Sequence, residues 1–394
     1  MSHDIAFLPL VILALAGCSP LATSKPPARI VCLGDSITDG CTYPQIIAQA
    51  LREAGRPVPA LICAGVASDT APQMAARLDK TVLVFKPTLV TFSAGTNDAL
   101  RGVTPAQYEQ ALRGISAKVK AQGGSILLLT PCIICPGKGA DAAAKAKAEA
   151  AEKVIAQYTE VIRKVAADER CPVAESNALM QAARRKGKEL MADDGVHPNY
   201  LGQSLMARSI LDAMGCRDVP LPREFRPALF PGVVREWRMR LAPLDEHQKP
   251  QRLTEATVRQ LAPDNSWKTY RLPDPVPQGK PSAEDWWEQE RRNGFGLRVH
   301  DLVGKGLVQA VALVECPEPR SAFLNTGIGI SSLWLNGVRL HGQGAAWTGF
   351  HAGKERLPAS LRRGRNEIVV EIDGPQFFLS LTDKLVWEAD VRPD

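Results

Sequence analysis

Histidine is scarce in this chain: there are six in 394 residues, and between Cys18 and Glu246 His197 stands alone. Long apolar runs are missing as well. Past the N-terminal run Ile5 to Ala16, no stretch approaches the roughly 20 apolar residues of a membrane-spanning helix. Aromatics are missing from the strongest run of positive charge as well. The densest basic cluster, Arg184-Arg185-Lys186-Gly187-Lys188, contains none, so it reads as a solvated surface and not as a nucleic-acid site. Cys132-Ile133-Ile134-Cys135 has the spacing of a redox or zinc half-site. No second close pair or nearby histidine completes a tetrahedral set, so neither metal nor other cofactor is expected.

What is present is ordinary for a soluble globular protein: 45% hydrophobic residues, 23% charged, and a net charge of +6. The length suits two domains. Ile5 to Ala16 is too short to span a bilayer but right for the core of a signal peptide. It runs into Leu15-Ala16-Gly17-Cys18, which resembles a bacterial lipobox and implies a lipid on Cys18. The n-region departs from the pattern, with Asp4 and no Lys or Arg. Pro20, Pro26 and Pro27 follow in a polar tether. The expectation is export to the bacterial cell envelope, with membrane contact only through the lipid at Cys18. Export permits disulfides among the other eight cysteines, in a pairing the sequence does not reveal. For Cys132 and Cys135 a local disulfide or buried thiols are expected.

From Ala28 onward, apolar strands alternate with amphipathic helices. Ala28 to Leu33, Val58 to Cys63, Thr88 to Ser93, Ser125 to Thr130 and Pro172 to Glu175 read as strands. Helices fall between them, among them a long Ala/Lys/Glu helix over 141–169, and a last helix spans Tyr200 to Met214. Such alternation predicts an α/β, flavodoxin-like three-layer sandwich with a five-stranded parallel sheet in the order 2-1-3-4-5. We place the signal peptide, lipobox and tether at 1–27, this domain at 28–218, and a second domain at 219–394.

Ser36 lies where the first strand ends and the chain turns toward a helix, at the edge where α/β folds place chemistry. A serine nucleophile needs a base, an orienting acid and oxyanion donors. In this half His197 is the single imidazole. Asp194, three residues earlier, can reach one ring nitrogen while the other faces Ser36; Asp193 is the competitor. Gly65, lacking a side chain, would let a backbone N–H approach a ligand, and Asn97 offers an amide. Together Gly34-Asp35-Ser36-Ile37-Thr38, Gly65, Gly95-Thr96-Asn97-Asp98 and Asp194-Gly195-Val196-His197 resemble, in order, the four motif blocks of the GDSL, or SGNH, esterase–lipase superfamily. The resemblance spans roughly residues 28 to 215. It implies Ser36 as nucleophile, His197 as base, Asp194 as its partner, and Ser36, Gly65 and Asn97 as the oxyanion hole. It departs from the family at Cys63-Ala64, where an Asn is common. The Gly-x-Ser-x-Gly elbow of α/β-hydrolases is absent from this half.

Beyond about Pro220 the pattern changes. Prolines crowd Pro220 to Pro231, helical periodicity fades, and six of seven tryptophans lie past Arg240. Short runs at Leu297 to Val299, Leu307 to Val314, Leu333 to Leu335, Ile368 to Ile372 and Phe377 to Leu381 read as strands. Asn336-Gly337 marks a hairpin, and Asp264 to Asp285 a long loop. These features predict an all-β jelly-roll or β-sandwich, and the pattern resembles galactose-binding-like modules. Trp267, Trp286, Trp287, Trp334 and Trp347 are candidates to stack on sugar rings or to fill a core. The combined expectation is an exported ester hydrolase acting on an acylated carbohydrate or other ester, without nucleic acid. Two alternatives stay open: a lysophospholipase or thioesterase-like lipase, and a non-catalytic surface carbohydrate-binding lipoprotein.

Overall fold

The computed structural model describes residues 27–227, 229, 232–272, 297–327, 329–341 and 355–383. Cys18 and the lipobox lie outside the described residues, as do Trp286, Trp287 and Trp347. The first half is built on β1 (Arg29–Gly34), β2 (Ala60–Gly65), β3 (Leu89–Ser93), β4 (Ser125–Leu129) and β5 (Val173–Ala174). All pair in parallel, in the order β2-β1-β3-β4-β5 that the alternation predicts. The strands read as unbroken apolar runs because both faces are covered. On β1, Ile30 and Cys32 face a layer with Tyr43 and Ile47 of α2 (Thr42–Glu53) and Ile210 of α8 (Tyr200–Ala213). Val31 and Leu33 face the opposite layer, packed with Leu78 of α3 (Ala71–Thr81), Leu112 of α5 (Pro105–Ala121) and Ile155 of α6 (Ala142–Glu169).

Local chemistry sets the helix ends. Asp141 accepts from Ala144 N–H at 2.8 Å to cap α6, and Thr104 with Gln107 forms a reciprocal cap on α5. Past α8, Val219 and Phe225 still belong to the first core, and Gln49 of α2 binds both Glu224 O and Arg226 N–H.

The second half consists mainly of antiparallel strands: β6 (Glu236–Leu241), β7 (Lys268–Arg271), β8 (Leu297–Arg298), β9 (Val308–Cys316), β10 (Arg320–Thr326), β11 (Ile330–Leu335), β12 (Val338–His341), β13 (Glu355–Leu361), β14 (Gly364–Ile372), β15 (Gln376–Phe377) and β16 (Leu379–Thr382). A six-stranded sheet, β12-β11-β14-β9-β6-β7, and a three-stranded sheet, β13-β10-β16, share one core. Asn336 and Gly337 both have positive φ at the β11–β12 hairpin, as their pairing predicts. β7 falls inside the stretch expected to be a loop. Trp267 and Trp334 are buried with Val258, Val311 and Val369 against the outer face of the six-stranded sheet. They are core residues, which removes them as sugar platforms.

Candidate active site

Ser36 opens α1 (Ser36–Asp39), a single turn that follows β1 directly. Asp35 caps it, its carboxylate accepting from Ile37 N–H at 3.0 Å. Gly34 makes the tight turn possible, since a Cβ there would lie 2.0 Å from Thr38 Oγ1. β1, β2 and β3 end in register, Gly34 facing Gly65 on one side and Ser93 on the other. The loops bearing Ser36, Asp69 and Asn97 consequently leave the sheet side by side.

His197 arrives from the other end of the domain. Its loop is pinched shut by a bridge between Met191 and Pro198 and by Ala192 N–H donating to His197 O at 2.8 Å. Inside it, Asp194 Oδ1 accepts from the backbone N–H groups of Val196 and His197 at 2.8 and 3.0 Å. Asp194 Oδ2 accepts from His197 Nδ1–H at 2.6 Å. A carboxylate can only accept, so Nδ1 carries the proton and Nε2 presents a lone pair. Ser36 Oγ–H donates to that nitrogen at 2.7 Å. Burial alone would push the Asp194 carboxyl up, but the bonds from His197 and Val196 prevail and hold it down at about 2. Asp193, the competitor, reaches Lys138 Nζ at 3.4 Å instead. An imidazole lone pair against a hydroxyl, with a carboxylate behind the ring, can take the hydroxyl proton as the oxygen attacks a carbonyl.

Asn97 stands on α4 (Thr96–Arg101), beside Asp35. Its amide donates to Asp35 Oδ2 at 3.3 Å and to Asp69 O at 3.1 Å, which occupies both hydrogens. Asp98, behind it, accepts from Ala71 and Gly95 N–H at 2.9 and 3.1 Å and so ties the 70s loop to α4. Burial pushes the carboxyls of Asp35 and Asp98 up to about 6 each. Sequence reasoning assigns neither acid a role, although both sit inside the quoted motif blocks. Gly65 also has a packing role that its sequence does not announce. It is the last residue of β2, and the space beside its Cα is filled by the backbone of α1. Farther along the same loop, exposed Ser68 adopts φ 71°, a left-handed conformation uncommon outside glycine that no sequence signal announces.

Nothing in the sequence marks the bridge between Cys41 and Cys63, which joins the segment after α1 to β2. Cys132 and Cys135 are both free, Cys132 buried and Cys135 half-buried. Among the described residues no group of three His, Cys, Asp or Glu side chains could hold a metal ion.

Residues 32–205 match the family model of the GDSL-like Lipase/Acylhydrolase family. The matched segment is shorter than half of the chain. Esterase TesA of Pseudomonas aeruginosa is 32% identical over 126 residues, 30% of this chain and 62% of that protein. The aligned stretch thus spans less than two thirds of that relative. The Thioesterase 1/protease 1/lysophospholipase L1 of Escherichia coli is 27% identical over 180 residues, 45% of this chain and 79% of the relative. An acetylxylan esterase of Geobacillus stearothermophilus is 25% identical over 162 residues, 38% and 70% of the two chains. A solved structure of a catalytic mutant of an acetylxylan esterase from that organism has a TM-score of 0.42 at 21% identity, covering 48% of this chain and 94% of its own.

Proposed function

We propose that the protein is a serine ester hydrolase that removes acyl groups, acetyl foremost, from a polysaccharide or glycoconjugate through a Ser36–His197–Asp194 triad. The observation that carries this reading is the hydrogen-bonded chain from Ser36 Oγ through His197 to Asp194, spanning 2.7 and 2.6 Å. In the reaction, Oγ forms a bond to the ester carbonyl carbon while its proton passes to Nε2. The C–O bond to the alcohol then breaks and the alcohol takes that proton. Water, deprotonated by the same nitrogen, then adds to the acyl carbon; the acyl–Oγ bond breaks, Oγ takes the proton back from Nε2, and the acid leaves. The imidazolium formed on the way is stabilised by ionised Asp194.

Backbone N–H groups of Ser36 and Gly65 and the amide of Asn97 are the donors assigned to the oxyanion. For Asn97 this means releasing one of its two bonds, the 3.3 Å bond to Asp35 being the longer. The acetylxylan esterase relative supports an acetylated sugar substrate, and the thioesterase/lysophospholipase relative keeps a lipid or thioester substrate as the second reading. Export and a lipid at Cys18 complete the proposal. They are supported by the apolar run Ile5 to Ala16 and by a disulfide of the kind that persists in oxidising compartments.

The test is turnover of p-nitrophenyl acetate by wild type and Ser36→Ala, beside acetylated xylo-oligosaccharide, a long-chain acyl thioester and a lysophospholipid. Loss of all turnover in a folded Ser36→Ala protein is expected, together with preference for the acetylated sugar. Full activity without the Ser36 hydroxyl would refute the triad.

A further inference from the structure

A cavity of about 550 Å³ opens beside the loop that carries Asp194 and His197. Its volume lies within the range of small-molecule sites. Asp193 and Gly195, the neighbours of Asp194 on either side, form part of its wall. That wall is fixed to the segment after β4. Cys135 N–H donates to Gly195 O at 2.9 Å and Lys138 N–H to Asp193 O at 2.7 Å. The two strands of chain approach so closely that a Cβ on Gly195 would sit 2.1 Å from Cys135 O. A ligand in the cavity would therefore lie against a rigid support one residue away from the triad acid.

The lining divides by chemistry. Ile133, Leu190 and Ala192 give it a buried apolar floor. Lys138, Arg184 and Lys188 supply three cations, against the carboxylates of Asp193 and Glu189. Arg184 is held in place by Gln181 Oε1 at 2.6 Å and Glu152 Oε1 at 3.3 Å. The Lys138–Asp193 pair is 3.4 Å apart with both side chains largely exposed, so it holds Lys138 only weakly. Lys188 makes no ion pair among the described residues. Arg184 and Lys188 of the basic cluster thus line a concavity.

We propose that this cavity is a subsite for a uronate residue of the carbohydrate substrate, its ring on the apolar floor and its carboxylate between Lys188, Lys138 and Arg184. The inference rests on the esterase reading and narrows it to acetylated acidic glycans. Carboxylate bonds from Arg and Lys are charge-assisted and give selectivity over a neutral chain.

The experiment uses full-length wild type and the Lys138→Ala/Lys188→Ala double variant, both changes being on exposed side chains. Acetylated oligogalacturonide, acetylated xylo-oligosaccharide and p-nitrophenyl acetate serve as substrates. In the variant, KM for the acidic substrate should rise about tenfold with kcat unchanged, the difference fading at high salt, and neither neutral substrate should respond. An unchanged KM, or an equal rise on the neutral sugar, overturns the proposal. Calorimetry with unacetylated trigalacturonate tests the cavity apart from the chemistry. Binding by wild type that is tighter than xylotriose and about tenfold weaker in the variant supports it. No preference for the uronate overturns it whatever the turnover shows. Wild type inert toward every ester while still binding trigalacturonate would instead remove the esterase reading and leave an acidic-sugar site.

Discussion

Gly65 and Asp39 meet so closely that a Cβ on Gly65 would lie 2.2 Å from the amide nitrogen of Asp39. The last residue of β2 is therefore the seat of α1, the turn that begins with Ser36. Gly65→Ala should push α1 outward, lengthen the 2.7 Å bond to His197 and lower kcat/KM by at least about tenfold. The overpacking should also cost roughly 1–3 kcal/mol of stability. Gly114→Ala is the control. It lies within α5 with nothing within 4 Å of the added carbon, and it should leave activity alone while stabilising by up to about 1 kcal/mol. Urea denaturation and steady-state kinetics on both variants check the pair.

Asp194→Asn keeps the size of the side chain but removes the acceptor that keeps the proton on Nδ1. The amide can satisfy the ring with the other tautomer, which turns Nε2 from acceptor into donor. The same exchange in serine proteases leaves the geometry intact and slows turnover through the wrong tautomer. On that scale kcat should fall by roughly two to four orders of magnitude with little change in KM. Stability should report the same interaction. Because the folded carboxyl is held at about 2, below its ordinary value of 3.8, wild type carries stabilisation that is present above pH 4. It drains away as pH falls toward 2. The variant lacks that portion of the acid-unfolding curve, which circular dichroism between pH 2 and 5 can resolve. An identical pH profile in the two proteins would contradict the geometry.

The parallel sheet was readable because each strand must be apolar on both faces, and Ile30, Val31, Cys32 and Leu33 already say so. The loop that brings His197 to Ser36 was readable for another reason. His197 has no competitor in its half, and an Asx-type turn requires its acid only three residues away. What remained hidden depended on distant backbone. Gly65 looks the same in sequence whether a ligand or a helix fills the space beside it, and helix α1 is what fills it. Cys41 and Cys63 could not be matched because their approach follows from strand register. Trp267 and Trp334 carried no mark to separate a sugar platform from a core residue. Burial against Val311 and Val369 decides that, and it is a property of the sheet face.

The Cys41–Cys63 bridge fixes the chain just after α1 to the strand that α1 rests on. Cys41 also holds a left-handed conformation, φ 58°, at the start of α2, where a non-glycine residue is disfavoured without support. A bridge closing a loop of 22 residues should contribute roughly 3 kcal/mol, on the chain-entropy estimate. The Cys41→Ala/Cys63→Ala variant should lose about that much in non-reducing denaturation and should become insensitive to reductant. Wild type unfolded in the presence of a phosphine reductant should approach the variant. Mass spectrometry of peptides from unreduced protein identifies the partners directly.

Asp35 is buried beside Asn97, and its carboxyl is pushed up to about 6 by that burial, partly offset by the Ile37 N–H bond. In the unfolded chain the same group ionises near 3.8. Between those two values the folded form keeps a proton that the unfolded form releases, so wild type loses stability as pH rises from about 4 to about 6. Above that range the loss is complete and amounts to as much as about 3 kcal/mol for a shift of this size. Asp98 titrates over the same range for the same reason and contributes in parallel. Asp35→Asn removes only the first contribution and retains an acceptor for Ile37 N–H. Its stability relative to wild type should therefore improve between pH 4 and pH 7, whatever the offset at pH 4. Activity should move the other way. An amide at 35 can aim a donor at the donating nitrogen of Asn97, which turns the Asn97 side chain and should lower kcat more than it raises KM. Urea titrations at pH 4 and pH 7, with kinetics at pH 7, separate these effects. A relative stability that stays flat across that interval would mean that Asp35 is ionised freely and does not hold Asn97 as a buried acid.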